Sequence, residues 1–263
     1  MSIITLTTDW GVDDPYVAAF RGAILRHDNG ARIETVTHSL TKHDRLSAAF
    51  LTISTFHHFP KGTVHFLGLD SGGGRVAQQA ADYLVLRFQE HLFVGADSGV
   101  FSMLVHGRPF ECWLLPLGKD LAMKELFPRL AQSLVELATG TDPAGMGSPH
   151  NKLLECSIPG PSSDPSGIRC SVIYIDSFGN AVFNLGRGLF DKERAGRSFT
   201  LLVRNASYSI KRISQHYNDV EEGDLLALFN QNDFLEIALN KGDASRLLGI
   251  KLYDSILIEF HDH

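Results

Sequence analysis

The sequence predicts an α/β fold, with an N-terminal α/β domain built on a mainly parallel central sheet and a smaller C-terminal antiparallel β-barrel or sandwich. Three observations predict it. Apolar runs alternate strand, helix, strand, helix, strand through the first half of the chain. A proline-rich break, IPGPSSDPSG, fills 158–167. Beyond it only strand-length runs follow, separated by turn residues. The chain therefore reads as an α/β domain over 1–157, a linker over 158–167 and a barrel domain over 168–263.

The β-branched run Ser2 to Thr8 is the first expected strand, ending at the turn Asp9-Trp10-Gly11. Tyr16 to Arg26 repeats apolar residues at helical spacing, with Pro15 where a first turn tolerates it. Arg32 to Thr37 is the second strand, and Arg45 to Phe56 the second helix, with Asp44 as N-cap. A third strand, Thr63 to Leu69, ends at Asp70 and the cluster Gly72-Gly73-Gly74. Tyr83 to Phe88 and His91 to Val94 form a strand pair around a turn. Gln132 to Ala138 closes a further helix, with Gly140 following as a stop. After the break the expected strands are Ile168–Ile175, Ala181–Asn184, Phe199–Val203, Ser207–Ile210, Leu225–Asn230, Phe234–Leu239 and Ser255–Glu259.

Composition bounds the function. With 24 basic and 30 acidic side chains the net charge is -6, which disfavours a general electrostatic grip on nucleic acid or on an anionic membrane. Cys112, Cys156 and Cys170 are an odd, widely spaced set, read as reduced thiols. The opening MSIITLTTDW has no basic segment and no long apolar run, so a cytoplasmic protein is expected.

In an open parallel sheet ligands gather beyond the carboxyl ends of the strands, where Asp9 and Asp70 fall. Acids there can accept hydrogen bonds from ribose hydroxyls or hold a divalent cation, whereas Asp13 and Asp14, placed before Pro15, can equally cap the helix. No HxH or HExxH supports a metal, and the glycines after Asp70 form neither GxxxxGK[ST] nor GxGxxG. His38 and His43 lie in a strand-end loop. Ser102, in DSGVFS, is not a nucleophile elbow. The turn DSFGN, Asp176 to Asn180, places an aromatic and an amide where they could stack on and bond a heteroaromatic ring; a plain hairpin turn explains the same residues.

Taken in order, these pieces resemble the S-adenosylmethionine hydroxide adenosyltransferase family, relatives of the fluorinating and chlorinating enzymes. TTDWGVDDPYVAAFRGAIL is similar to its TDFG opening, TVTHSLTKHDRLSAAFLT to its second motif, and FPKGTVHFLGLDSGGG to FPxGTVH followed by VDPGVG. GADSGVFS resembles the PDNG segment, VIYIDSFGNAVFN the ID-FGN-TN motif, and YNDVEEGDLLALFNQNDFLEIALNKGDASRLLGIK the closing stretch. The resemblance implies homotrimers that hold an adenosyl ligand between the N-terminal domain of one subunit and the C-terminal domain of its neighbour. No cofactor is implied, S-adenosylmethionine being the substrate. It implies that Asp9 holds the ribose hydroxyls, with Asp14 the second acid of that motif, and that His43 lines the pocket. Phe178 and Asn180 match the adenine turn, Asn230 and Asn240 the methionine and adenine ends of the closing motif. The implied reaction is attack of water on C5′, giving adenosine and methionine, with Asp70 orienting the water. The family's arginine would fall on Ala77, and Arg75 is the nearest; its histidine belongs to an HGRD-like segment whose nearest echoes are Lys119-Asp120 and Lys124-Glu125, and no histidine occurs between His106 and His150. Retention of Asp70 argues against halide use. Weak hydrolysis is the first expectation, and an adenosine- or S-adenosylmethionine-binding protein without turnover the alternative. A further reading is action on another adenosyl compound, since Trp10 and His43 alter the pocket lining.

Overall fold

The computed structural model describes residues 2–69, 82–118, 121–156, 160–203 and 208–261. The chain divides into two compact units, Met1–Ser157 and Ile158–His263, of mixed α/β character with one sheet each.

The first unit runs β1 (Ile3–Thr8), α1 (Pro15–His27), β2 (Arg32–Thr37), α2 (Arg45–Thr55), β3 (Val64–Gly68), β4 (Tyr83–Phe88) and β5 (His91–Ala96). It continues with α3 (Val100–Val105), β6 (Glu111–Leu114), α4 (Met123–Ala138) and β7 (Ser148–Pro149). The sheet order is β2-β1-β3-β5-β4-β6-β7. Pairings of β1 with β2, β1 with β3 and β3 with β5 are parallel. Those of β4 with β5, β4 with β6 and β6 with β7 are antiparallel. The sheet is thus mixed rather than mainly parallel. The cause is local: β4 and β5 are joined by Gln89-Glu90, both at positive φ (48° and 63°), the two-residue turn that forces neighbouring strands to run oppositely.

Alternation along the strands sends Ile4, Leu6, Val64 and Phe66 to the face covered by α1 and α4. A ring cluster fills it: Trp10 lies 5.2 Å from Phe127 and 5.4 Å from Phe20, and Phe20 4.7 Å from Phe66. Phe56, His65, His91 and Phe93 pack against one another on the other face. Helix α2 starts as expected, the Asp44 carboxylate accepting from Ser47 N–H at 3.0 Å. Helix α4 begins at Met123 and is closed, as expected, by Gln132 to Ala138. Pro128 interrupts its sequence, yet Phe127, Leu130, Ala131, Leu134 and Leu137 keep helical spacing and are buried together.

In the second unit, β8 (Ser162–Asp164), β9 (Gly167–Ile175), β10 (Ala181–Gly186), α5 (Arg187–Arg194) and β11 (Ser198–Leu202) come first. There follow β12 (Ser209–Ile210), β13 (Ile213–Ser214), β14 (Leu225–Phe229), β15 (Phe234–Leu239), α6 (Ala244–Leu248) and β16 (Ser255–His261). The order is β12-β11-β16-β9-β10-β15-β14-β13, with β8 added on β9. Every pairing is antiparallel except β13 with β14. The sheet curls until β12 approaches β14, and no hydrogen-bonded pairing closes it among the described residues.

Two expectations are corrected here. Part of the presumed linker is a strand: Asp164 accepts from Ser166 N–H at 2.7 Å, and that turn folds β8 onto β9. The unit also contains helices. RGLFDKER forms α5 while burying only Phe190, too little to register as periodicity. Among the described residues no helix is long and apolar enough to cross a membrane, and no group of three acids, histidines or cysteines is placed to hold a metal ion. Cys112 and Cys170 are buried free thiols, both pushed up in pKa by burial, Cys112 to about 12.

Candidate functional site

From β1 the chain crosses through α1 to β2 on one side of β1, then through α2 to β3 on the other. That reversal opens a crevice beyond the carboxyl ends of β1 and β3. A cavity of about 330 Å³ lies there, lined by Asp9 after β1, by Gly68 and Leu69 at the end of β3, and by Ala96 at the end of β5. A larger cavity, about 560 Å³, sits at the opposite strand ends near Ile3 and Thr63. Its cations are already spent: Lys61 pairs with Glu90, and Arg87 bonds Glu111 and Asp142 at 2.9 Å each. The smaller cavity is the better candidate, since carboxylates line it at the topological switch.

Asp9 is 3% exposed, and its Oδ2 accepts from His43 N–H at 3.0 Å. His43 thus meets the site through its backbone, which is held at φ 64°; its ring is exposed. His38 is a strut. Its Nδ1 bonds Thr8 Oγ1 at 2.8 Å and its carbonyl accepts from Gly11 N–H at 2.9 Å, fixing the turn after Asp9. Burial, then the nearby Arg21, lowers its pKa. Asp14 stands at the N-cap position of α1, yet its side chain makes no capping bond and instead lines the cavity. Trp10 forms one wall, packed over Gly68 so closely that a Cβ there would sit 2.8 Å from the indole Cζ2. Among the described residues the one cation lining the cavity is Lys42, which sequence reasoning had not singled out. Asp70 and Arg75 lie outside the described residues. Ser102 is structural: its hydroxyl donates to Gly99 and Cys156 carbonyls at 2.8 and 2.9 Å.

In the second unit, Asp176 organises its turn. Its Oδ1 accepts from the N–H groups of Phe178 and Asn180, each at 2.9 Å, and its Oδ2 from Asn180 Nδ2 at 3.0 Å. Asn180 is buried, its Oδ1 without a donor among the described residues, while the Phe178 ring is 76% exposed. The turn is anchored on the closing stretch by Ser245 N–H to Gly179 carbonyl at 2.8 Å. The other two asparagines are engaged within the unit. Asn230 Oδ1 accepts from Asn232 and Phe234 N–H, and its Nδ2 donates to Glu236 at 3.2 Å. Asn240 Nδ2 donates to the Val220 carbonyl at 2.9 Å. Glu236, 4% exposed, also accepts from Tyr217 Oη at 2.7 Å; burial and then Asp176 hold its pKa up against these bonds.

The model of the SAM hydroxide adenosyltransferase N-terminal domain matches residues 4–141, and that of the C-terminal domain residues 170–257. The chain belongs to this family. A Thermus thermophilus protein named (R)-S-adenosyl-L-methionine hydrolase is similar at 24% identity over 95% of this chain and 97% of its own length. A Salinispora tropica protein of the same name is 26% identical over 97% of each chain. A solved Thermotoga maritima structure, described as an uncharacterized conserved protein, shares the fold with a TM-score of 0.85 at 24% identity, covering 97% of this chain and 99% of that one.

Leu117, two residues before Lys119-Asp120, is 6% exposed and packed in the core of the first unit.

Proposed function

We propose that this chain hydrolyses S-adenosylmethionine at C5′ to adenosine and methionine. The observation that carries the reading is the cavity at the β1/β3 switch, where Asp9 is buried and aimed by the His43 amide while Asp14 is left uncapped. A carboxylate oriented in this way accepts well from a vicinal diol, as ribose requires. The similar proteins named (R)-S-adenosyl-L-methionine hydrolase supply the reaction class.

Water oxygen attacks C5′ in line with the sulfur. As the C5′–O bond forms, the C5′–S bond breaks with its electron pair going to sulfur, and the sulfonium becomes the thioether of methionine. One proton of the water is released, and Asp70, the residue after Leu69 of the cavity wall, is its acceptor in this scheme. Charge disappears from sulfur in the transition state, so the protein has chiefly to position water and exclude bulk solvent. Loss of one acid–base partner costs about 10²–10⁴-fold, so turnover is slow without the histidine. Phe178 and Asn180 Oδ1 present a stacking face and an acceptor suited to an adenine amino group. Trimeric assembly with sites shared between subunits belongs to the same proposal, and light scattering reads it directly.

The test is chromatographic detection of adenosine from purified protein given each sulfonium epimer of S-adenosylmethionine, beside an Asp70→Ala control. No adenosine above that control ends the hydrolase reading. The lack of any histidine between His106 and His150 favours a second one, binding without turnover, selected by adenosine affinity in calorimetry with no product.

A further inference from the structure

Away from the crevice, near the amino ends of β3 and β5, His65 and His91 are buried side by side. His65 Nδ1 lies 2.8 Å from Thr5 Oγ1 of β1, and its Nε2 lies 3.2 Å from His91 Nδ1. Among the described residues neither ring is hydrogen-bonded to a carboxylate, and Glu90, in the β4–β5 turn, is spent on Lys61. The other charged or titratable groups around the pair are Lys61 itself, His57 near His91, His58 stacked on His57 at 4.1 Å, and Arg108, whose guanidinium lies over the Phe88 ring. None of these is an acid.

A neutral imidazole carries one N–H, so a single hydrogen bond joins the two rings. One added proton leaves that bond in place. A second sets N–H groups on both facing nitrogens and two like charges in contact, which the packed pair does not tolerate. Burial, and then His91, lowers the pKa of His65 to about 3, and burial lowers that of His91.

The strands behind the pair are not free to part, since β3 and β5 are hydrogen-bonded neighbours and His65 stacks on Phe93 at 4.9 Å. The cover in front is slighter. Phe56 stands 5.2 Å from His91 and 6.3 Å from His65, and Phe59 stands 5.7 Å from His65. Both belong to a short segment that follows α2: the single turn Phe56–His58, then Phe59 to Thr63. It is held by Gly62 N–H on the Glu90 carbonyl at 2.8 Å, by Leu92 N–H on the Thr63 carbonyl at 3.1 Å and by the exposed Lys61–Glu90 ion pair. An exposed pair of this kind contributes little. Pro60 to Thr63 also line the cavity of about 560 Å³ at this end of the sheet.

We infer that His65 and His91 form an acid-operated latch: protons taken up on both rings release the Phe56–Thr63 segment from the sheet, with the strands behind still paired, and open one wall of that cavity. A buried histidine pair without an acid partner is a proton-sensitive element, and the weakly tied segment over it is the part that moves. Neither the reaction nor its ligand enters this inference.

The experiment is hydrogen exchange followed by mass spectrometry on the full chain, across about pH 4.5 to 7 and corrected for intrinsic exchange, for wild type and His91→Gln. The glutamine still hydrogen-bonds His65 but takes up no proton. In wild type, opening of peptides covering 56–63 and 89–93 is expected to rise by more than tenfold, and up to about 100-fold, per pH unit lost below about 6.5, since each proton gained on opening contributes about tenfold. In His91→Gln the rise is no more than about tenfold per unit, and peptides from β1 and from the second unit stay protected in both proteins. Opening that ignores pH, an unchanged slope in His91→Gln, or loss of protection across the whole first unit at once overturns the latch. Imidazole spectra of wild type decide it independently should the variant not fold. Both rings are expected to stay neutral in the closed protein at about pH 5.5, and a ring that titrates there near the ordinary histidine value of about 6.5 also overturns it.

Discussion

Replacing Gly179 with alanine tests how the Phe-Gly-Asn turn is built. Gly179 has φ 81°, and a methyl group added there collides with the carboxylate of Asp243. Asp243 cannot simply leave, because it caps α6, accepting from Arg246 N–H at 2.7 Å and from Ser245 Oγ at 2.8 Å. The left-handed backbone costs an alanine about 1–2 kcal/mol, and forced repacking adds about 1–3 kcal/mol. Gly179→Ala should therefore destabilise the second unit by about 2–5 kcal/mol, read from urea unfolding followed by circular dichroism. Trp10 and Trp113 both lie in the first unit, so tryptophan fluorescence in the same titration reports that unit separately. Asp243→Ala alone loses a cap, about 1 kcal/mol. In the double variant the collision vanishes and only the backbone cost remains, so the two substitutions should couple by about 1–3 kcal/mol. A loss below about 1 kcal/mol for Gly179→Ala, or strict additivity with Asp243→Ala, would refute the packing argument.

Further outcomes are expected. Asp9→Asn keeps the volume and can still accept from the His43 amide but loses the charge, so adenosine should bind about 10–100-fold more weakly. 2′,3′-Dideoxyadenosine should be affected far less, and equal losses in calorimetry would remove Asp9 from the ribose. His65 is held neutral, its pKa lowered to about 3 by burial and then by His91. An unfolded histidine titrates near 6.5. The unfolded chain thus binds the extra proton between these values, and stability is full above about pH 6.5 and falls below it by up to about 1.4 kcal/mol per pH unit. His65→Phe should flatten the dependence of Tm on pH between about 6 and 4, and an unchanged slope in a thermal scan contradicts the assignment.

The part of the fold legible in the sequence is the part set by local rules. The strand and helix runs up to Leu69 declare themselves through periodicity, and Asp44 through its cap. The β4–β5 hairpin was legible as two strand runs flanking a short turn, while the antiparallel pairing of β4 with β6 and of β6 with β7 was not, because those partners lie far apart in the chain. The first turns of α4 were hidden by Pro128, where tertiary burial of Phe127 outweighs propensity. Asp9 was legible as an acid closing a buried strand, and the structure places it 3% exposed at the end of β1. The choice between cap and ligand for Asp14 was not, since both place the same residue at the same position. Asn230 and Asn240 show why an asparagine near a motif is hard to assign: their partners, Glu236 and Val220, are found only once the strands meet. Lys42 carried no signal at all, being an ordinary surface-type lysine in the sequence.

Position 43 meets Asp9 with its main chain, and every amino acid except proline carries that N–H. That bond survives a change of side chain at 43 wherever the new residue tolerates the left-handed backbone. The aim of the Asp9 carboxylate is therefore written in the backbone conformation at 43, a feature that a comparison of side chains there does not register.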